Sequence, residues 1–127
     1  MDDGEMRGLI ERYVRAYNDF DIDGMVALLH PDCTFQNESG GTVNASTSGI
    51  PQIRELAEKS RELFSSRRQV ITSFKRDGDA MAVEIDFDAV LKADIPNGPR
   101  AGEILKLHGR SVFRIRDGLI HALTDYS

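Results

Sequence analysis

Cysteine occurs once among 127 residues, at Cys33, and tryptophan does not occur at all. A single thiol excludes an internal disulfide framework and any zinc cluster built from several thiolates. Basic charge is also short, since 16 lysines and arginines against 21 aspartates and glutamates leave a net charge of −5. That deficit argues against nucleic acid as a partner, because such binders carry a basic footprint. No apolar run approaches the roughly 20 residues that span a bilayer, so no membrane partner is expected. The opening MDDGEMRG is acidic and lacks the apolar stretch of a signal peptide, which makes the cytoplasm the expected location. His30, His108 and His121 show neither HxH nor HExxH spacing, so no metal is expected. Gly40-Gly41 does not open a helix in a nucleotide-binding pattern, and no other cofactor motif is present. Repeats, linkers and low-complexity stretches are absent too, which leaves one domain over residues 1–127.

What is present is ordinary for a folded domain: 40% hydrophobic and 29% charged residues. Leu9, Ile10, Tyr13, Val14 and Tyr17 recur at helical spacing and form one apolar stripe. Ile22, Met25, Val26 and Leu29 form a second, with Asp19 or Asp21 as its cap and Pro31 beyond its end. Ile50, Ile53, Leu56, Ala57 and Phe64 suggest a third helix, with Ser48 and Pro51 near its first turn. A short extended piece, Cys33 to Glu38, and a polar stretch after Gly40-Gly41 separate the second and third helices. Alternation then takes over. Val70, Thr72 and Phe74 share a face, Asp77-Gly78 turns, and Met81 to Leu91 carry apolar residues at every odd position. After a turn at Pro96-Asn97-Gly98-Pro99, Leu105, Leu107, Phe113 and Ile115 line the next strand. Asp117-Gly118 then turns the chain into Leu119 to Tyr126. Helices first and antiparallel strands afterwards predict an α+β fold.

Turn position predicts register. A turn centred near Asn97 places opposite each other residues whose numbers sum to about 194. Glu84 then faces Arg110, Asp86 faces His108 and Asp88 faces Lys106, a charge ladder turned away from the apolar row. Such a ladder fixes register more than it stabilises, and it makes His108 structural.

The stretch RYVRAYNDFDIDGMVALLHPDCTF, with SGIPQIREL and GRSVFRIRDGLI further on, resembles the nuclear transport factor 2-like superfamily. Within it, the chain is similar to the branch of ketosteroid isomerases and SnoaL-like polyketide cyclases. The resemblance implies three helices packed on a strongly curved, mainly antiparallel sheet that encloses a pocket. It also implies a homodimer formed through the outer sheet face.

For chemistry, the resemblance is divided. Ketosteroid isomerases pair an aspartate base with a tyrosine and a protonated aspartic acid as oxyanion donors. Here Tyr13 matches the tyrosine, but Asn37 stands at the base and Ser111 at the second donor. Asparagine takes no proton at neutral pH, so steroid isomerisation by that route is not expected. SnoaL-like cyclases are similar in placing an acid/base aspartate near the end of the last strand. DGLIHALTDYS puts Asp125 there, with Thr124 in place of a tryptophan. Period-two geometry sets His121 and Leu123 on the face of Asp125. The resemblance thus implies Asp125 and Tyr13 as catalytic groups, with Asn37, Ser111, Tyr17, His121, Leu123 and Phe113 around a small, hydrophobic, oxygenated molecule. The expected reaction is acid/base isomerisation or cyclisation of a ketone, with loops Gly40–Ser48 and Ala93–Gly102 setting selectivity. The alternative is a ligand-binding or dimerisation domain that kept the fold without the chemistry. A binder is expected to leave Asp125 as a solvated terminal carboxylate, and a pure dimerisation module to plug the pocket with Tyr13, Tyr17 and Phe113.

Overall fold

A computed structural model describes residues 1–127. Helix α1 (Asp3–Asn18) starts at a reciprocal cap, in which the Asp2 carboxylate accepts from Glu5 N–H while the Glu5 carboxylate accepts from Asp2 N–H. This satisfies two of the amide donors that a helix start leaves free. One face of α1 is amphipathic by spacing, and Met6, Leu9, Ile10, Tyr13 and Val14 are buried along it. Phe20, at φ 56°, reverses the chain, and Asp21 then caps α2 (Ile22–Val26) through Gly24 N–H. The second helix is therefore shorter than its apolar spacing suggests. Leu29 belongs instead to strand β1 (Leu29–Ser39), where it is buried.

The polar stretch after Gly40-Gly41 is also a strand, β2 (Thr42–Ser48), paired antiparallel with β1. Its alternation carries few apolar residues because it forms a mostly exposed sheet edge, which hides the strand from a hydrophobicity reading. Helix α3 (Ile50–Arg61) follows Gly49, and Phe64 begins strand β3 (Phe64–Asp77) rather than ending the helix. Strands β4 (Ala80–Leu91), β5 (Ile104–Arg116) and β6 (Leu119–Tyr126) complete an open six-stranded sheet in the order β2-β1-β6-β5-β4-β3. Only the β1–β6 pair is parallel. Asn18 ties α1 to the sheet by donating to the Gln69 carbonyl at 3.1 Å and accepting its N–H at 2.7 Å.

The expected pairings Glu84–Arg110, Asp86–His108 and Asp88–Lys106 are all present. His108 bridges Asp86 and Glu84 at 2.8 and 2.9 Å, and these hydrogen bonds raise its pKa. Leu107, expected in the apolar row, is exposed, because β6 pairs no further along β5 than Arg110.

Two bulges decide which residues face inward, since one inserted residue inverts the alternation beyond it. In β3 the register slips between Ile71 and Ser73. Val70 is consequently exposed, and Arg67, Gln69 and Ile71 share the inward face that Phe74 rejoins after the slip. The expected row Val70-Thr72-Phe74 is thus not one face. In β6 the extra residue is His121, so Ile120 and Leu123 both turn into the core.

Candidate functional site

The pairing across β1, β6 and β5 sets Asn37, Asp125 and Ser111 in one row, with Phe35, Leu123 and Phe113 in the next. Period-two alternation turns both rows to the same side, toward α1 and α3. Together with Tyr13 and Tyr17 from α1, Ile53, Leu56 and Ser60 from α3, and Phe64, Gln69 and Phe87 from the far strands, they line a cavity of ≈ 510 Å³. Thirteen of its 19 lining residues are hydrophobic, and its volume lies in the range of small-molecule sites.

Asp125 is the carboxylate inside this apolar enclosure. One of its oxygens accepts the Ser111 hydroxyl at 2.6 Å, and Ser111 is itself buried. Burial pushes the Asp125 pKa from the usual 3.8 up to about 6, and the Ser111 hydrogen bond opposes that rise. A carboxyl so placed exchanges protons close to neutral pH. The chain end behind it is anchored, as Ser127 N–H donates to the Glu38 carbonyl and Gly40 N–H to that of Ser127. Asp125 is therefore not a solvated terminal group.

Tyr13 is buried, edge-on to Phe113 with ring centroids 5.8 Å apart. Burial first, then the charge of Asp125, raises its pKa, so the phenol stays protonated and acts as a donor. Tyr17 is likewise raised by burial, with the charge of Arg67 acting against the rise. Asn37, on the cavity wall, donates its amide to Asn44 Oδ1 at 2.7 Å.

Seven of the expected residues thus converge on one cavity: Asp125, Tyr13, Asn37, Ser111, Tyr17, Leu123 and Phe113. His121 does not. As the bulge residue it lies outside the lining and packs edge-on against His30, with centroids 5.6 Å apart. The segment Ala93–Gly102 supplies no lining residue, and of Gly40–Ser48 only Ala45 does. Phe35, Gln69 and Phe87 were not singled out from sequence. Alternation in CTFQN already sets Phe35 beside Asn37, whereas the bulge in β3 conceals Gln69. No three His, Cys, Asp or Glu side chains converge as metal ligands.

Removing the Ser111 hydroxyl isolates its effect on the carboxylate. Because that hydrogen bond lowers the Asp125 pKa, Ser111→Ala is expected to move Asp125 titration to higher pH and to cost about 1–2 kcal/mol of stability. Carboxyl chemical shifts followed against pH measure the first effect. A titration unchanged or moved downward would contradict the assignment.

Three helices backing an open mixed sheet, with a cavity between them, define the α+β cone of the nuclear transport factor 2-like superfamily. Within it, the sequence profile of the SnoaL-like domain matches residues 10–123, and the chain belongs to that family. A candidate polyketide cyclase of Xanthomonas campestris pv. campestris superposes with a TM-score of 0.81 at 23% identity, covering 98% of this chain and 90% of that one. A second candidate polyketide cyclase, from a Silicibacter species, gives 0.76 at 26% identity over 95% and 87%. AclR of Streptomyces galilaeus, a candidate hydroxylase, gives 0.77 at 19% identity over 98% and 89%. No curated protein sequence matches the chain. Proteins described as cyclases and as a hydroxylase share this shape, so activity has to be argued from the site.

Proposed function

We propose that the protein is an acid/base catalyst acting on a small, hydrophobic, ketone-type molecule, with Asp125 moving the proton. The observation that carries this is the single carboxyl set in an apolar cavity, its pKa brought to about 6 and its oxygen fixed by Ser111 at 2.6 Å. Above that pH Asp125 is a carboxylate able to take a proton from carbon next to a carbonyl. Tyr13, kept neutral by burial, donates to the carbonyl oxygen as negative charge develops there. The resulting enolate reprotonates at another carbon in an isomerisation, or attacks a second carbonyl of the same molecule in a cyclisation. Aromatic walls from Phe35, Phe87 and Phe113 hold the substrate in place, which turns a floppy encounter into an oriented one.

The test is a thermal-shift screen of the wild type and Asp125→Asn against planar polycyclic ketones, phenols and lactones, with turnover assays on every hit. A ligand that binds only the native state raises the melting temperature by mass action. The expected result is a ketone that stabilises both proteins and is converted by the wild type alone. Conversion by Asp125→Asn at the wild-type rate would refute the catalytic role. Binding without conversion by either protein would make the domain a binder.

A further inference from the structure

Tyr17, a residue of the cavity wall, packs on its far face against a buried charge, the guanidinium of Arg67. Arg67 is only 5% exposed, on the inward face of β3 opposite the small residue Ala89. Its Nε donates to the Tyr17 carbonyl at 2.9 Å. Its guanidinium carbon lies 3.7 Å from the centre of the Tyr17 ring and 4.4 Å from that of Phe20, so two aromatic faces hold it. Phe20 takes up that position from a left-handed backbone conformation, one that costs a non-glycine residue energy. Both Nη atoms are buried without a hydrogen-bond partner, and no carboxylate forms an ion pair with the side chain. The charged and titratable groups that act on it are Tyr17, Tyr13 and the like-charged Arg61.

A buried cation with no counter-ion is expensive, and its field falls mainly on its nearest neighbours. Here the nearest is Tyr17, a wall residue of the cavity. The two phenols are therefore unequal. The charge acting most strongly on Tyr13 is that of Asp125, whereas on Tyr17 it is that of Arg67. A positive charge against its ring makes a phenol a stronger donor, and a carboxylate nearby makes it a weaker one.

We propose that Tyr17, polarised by Arg67, receives a negatively charged oxygen of the ligand, so that the cavity selects aromatic or alicyclic molecules bearing a carboxylate or phenolate. This deepens the ligand class of the cavity described above and rests on that cavity binding small molecules. Tyr17 touches the ligand in this arrangement. Arg67 is a positioning residue that acts through Tyr17. Asp125 remains the group that transfers the proton in this arrangement.

The test compares 2-naphthoate with its neutral isostere 2-naphthamide by calorimetry at one pH, so that the charge on Asp125 is constant. The readout is the ratio of the two affinities, which a merely structural role of Arg67 would leave unchanged because both ligands would weaken together. The wild type is expected to favour the carboxylate. Tyr17→Phe, which keeps the ring against the guanidinium, and Arg67→Met are each expected to lower the ratio about ten-fold or more, the scale of a hydrogen bond to a charged group. Arg67→Lys keeps the charge without the planar stack, and an intermediate ratio is expected. It also serves as the folded comparison if Arg67→Met does not fold. A ratio equal to the wild type's in Tyr17→Phe and Arg67→Lys overturns the assignment while the cavity reading stands. A wild type that binds a ketone from the screen above but neither naphthyl compound overturns the assignment alone, and one that binds none of them overturns both.

Discussion

Replacing Asp125 by asparagine should make the protein more stable at pH 8 and equally stable at pH 4. The folded state holds the Asp125 proton up to about pH 6, whereas the unfolded chain releases it near the usual 3.8. Between those values the native state binds more protons than the unfolded state, so stability falls as pH rises. About two pKa units correspond to about 3 kcal/mol of destabilisation, complete above pH 6 and absent below about pH 4. Asparagine never ionises, can still accept the Ser111 hydroxyl and nearly matches the shape of aspartate. The variant should therefore unfold at a temperature higher by about 10 °C at pH 8, with the gain vanishing in acid. Denaturant titrations of both proteins at the two pH values measure this. A variant less stable than the wild type at pH 8 would mean that the carboxylate is better accommodated than its burial implies. The stabilisation coincides with the loss of proton transfer proposed for this residue, as expected where a site keeps an ionisable group in an unfavourable place for use.

Phe113→Ala should produce the largest loss of stability, about 3–5 kcal/mol. Phe113 is 1% exposed and stands where two structures meet. One edge of its environment is the hydrophobic core, through its strand neighbours Met81 and Leu123, and the other is the wall of the cavity, through its contact with Tyr13. Truncation removes apolar burial, the edge-on ring contact and the support that fixes the Tyr13 phenol. The vacated space adjoins an existing cavity, so surrounding groups cannot close over it. Phe113→Leu keeps most of the volume and should cost less than half as much. Urea unfolding of the pair decides the point. A loss below about 1 kcal/mol in Phe113→Ala would show that the wall reorganises around the gap and that Tyr13 is held by other contacts.

Turn chemistry and alternation made much of the fold legible. Asp77-Gly78 and Asp117-Gly118 close the β3–β4 and β5–β6 hairpins, and the turn at Asn97 sets the β4–β5 register to the residue. Periodicity over α1 marks its buried face. The short helix α2 was overread because Leu29 falls at helical spacing by coincidence and belongs to a strand. Strand β2 was missed because an exposed edge needs no apolar row.

The site follows the same division. Asp125, Leu123, Ser111, Phe113, Asn37 and Tyr13 were reached through residue type, alternation and family resemblance, all of which are local in sequence. His121 was misplaced, and Arg67 and Gln69 were overlooked, for one physical reason. Each lies at or before a bulge, and an extra residue in one strand is defined only against its partner strand. By itself the sequence determined most of the element types, the β4–β5 register and the residues able to do acid/base chemistry, because these depend on spacing and on the groups a side chain carries. Only the tertiary structure decided that Asp125 is enclosed rather than solvated, that His121 leaves the row, and that Arg67 lies buried against Tyr17. Burial, face and electrostatic neighbourhood are set by contacts between residues far apart in the chain.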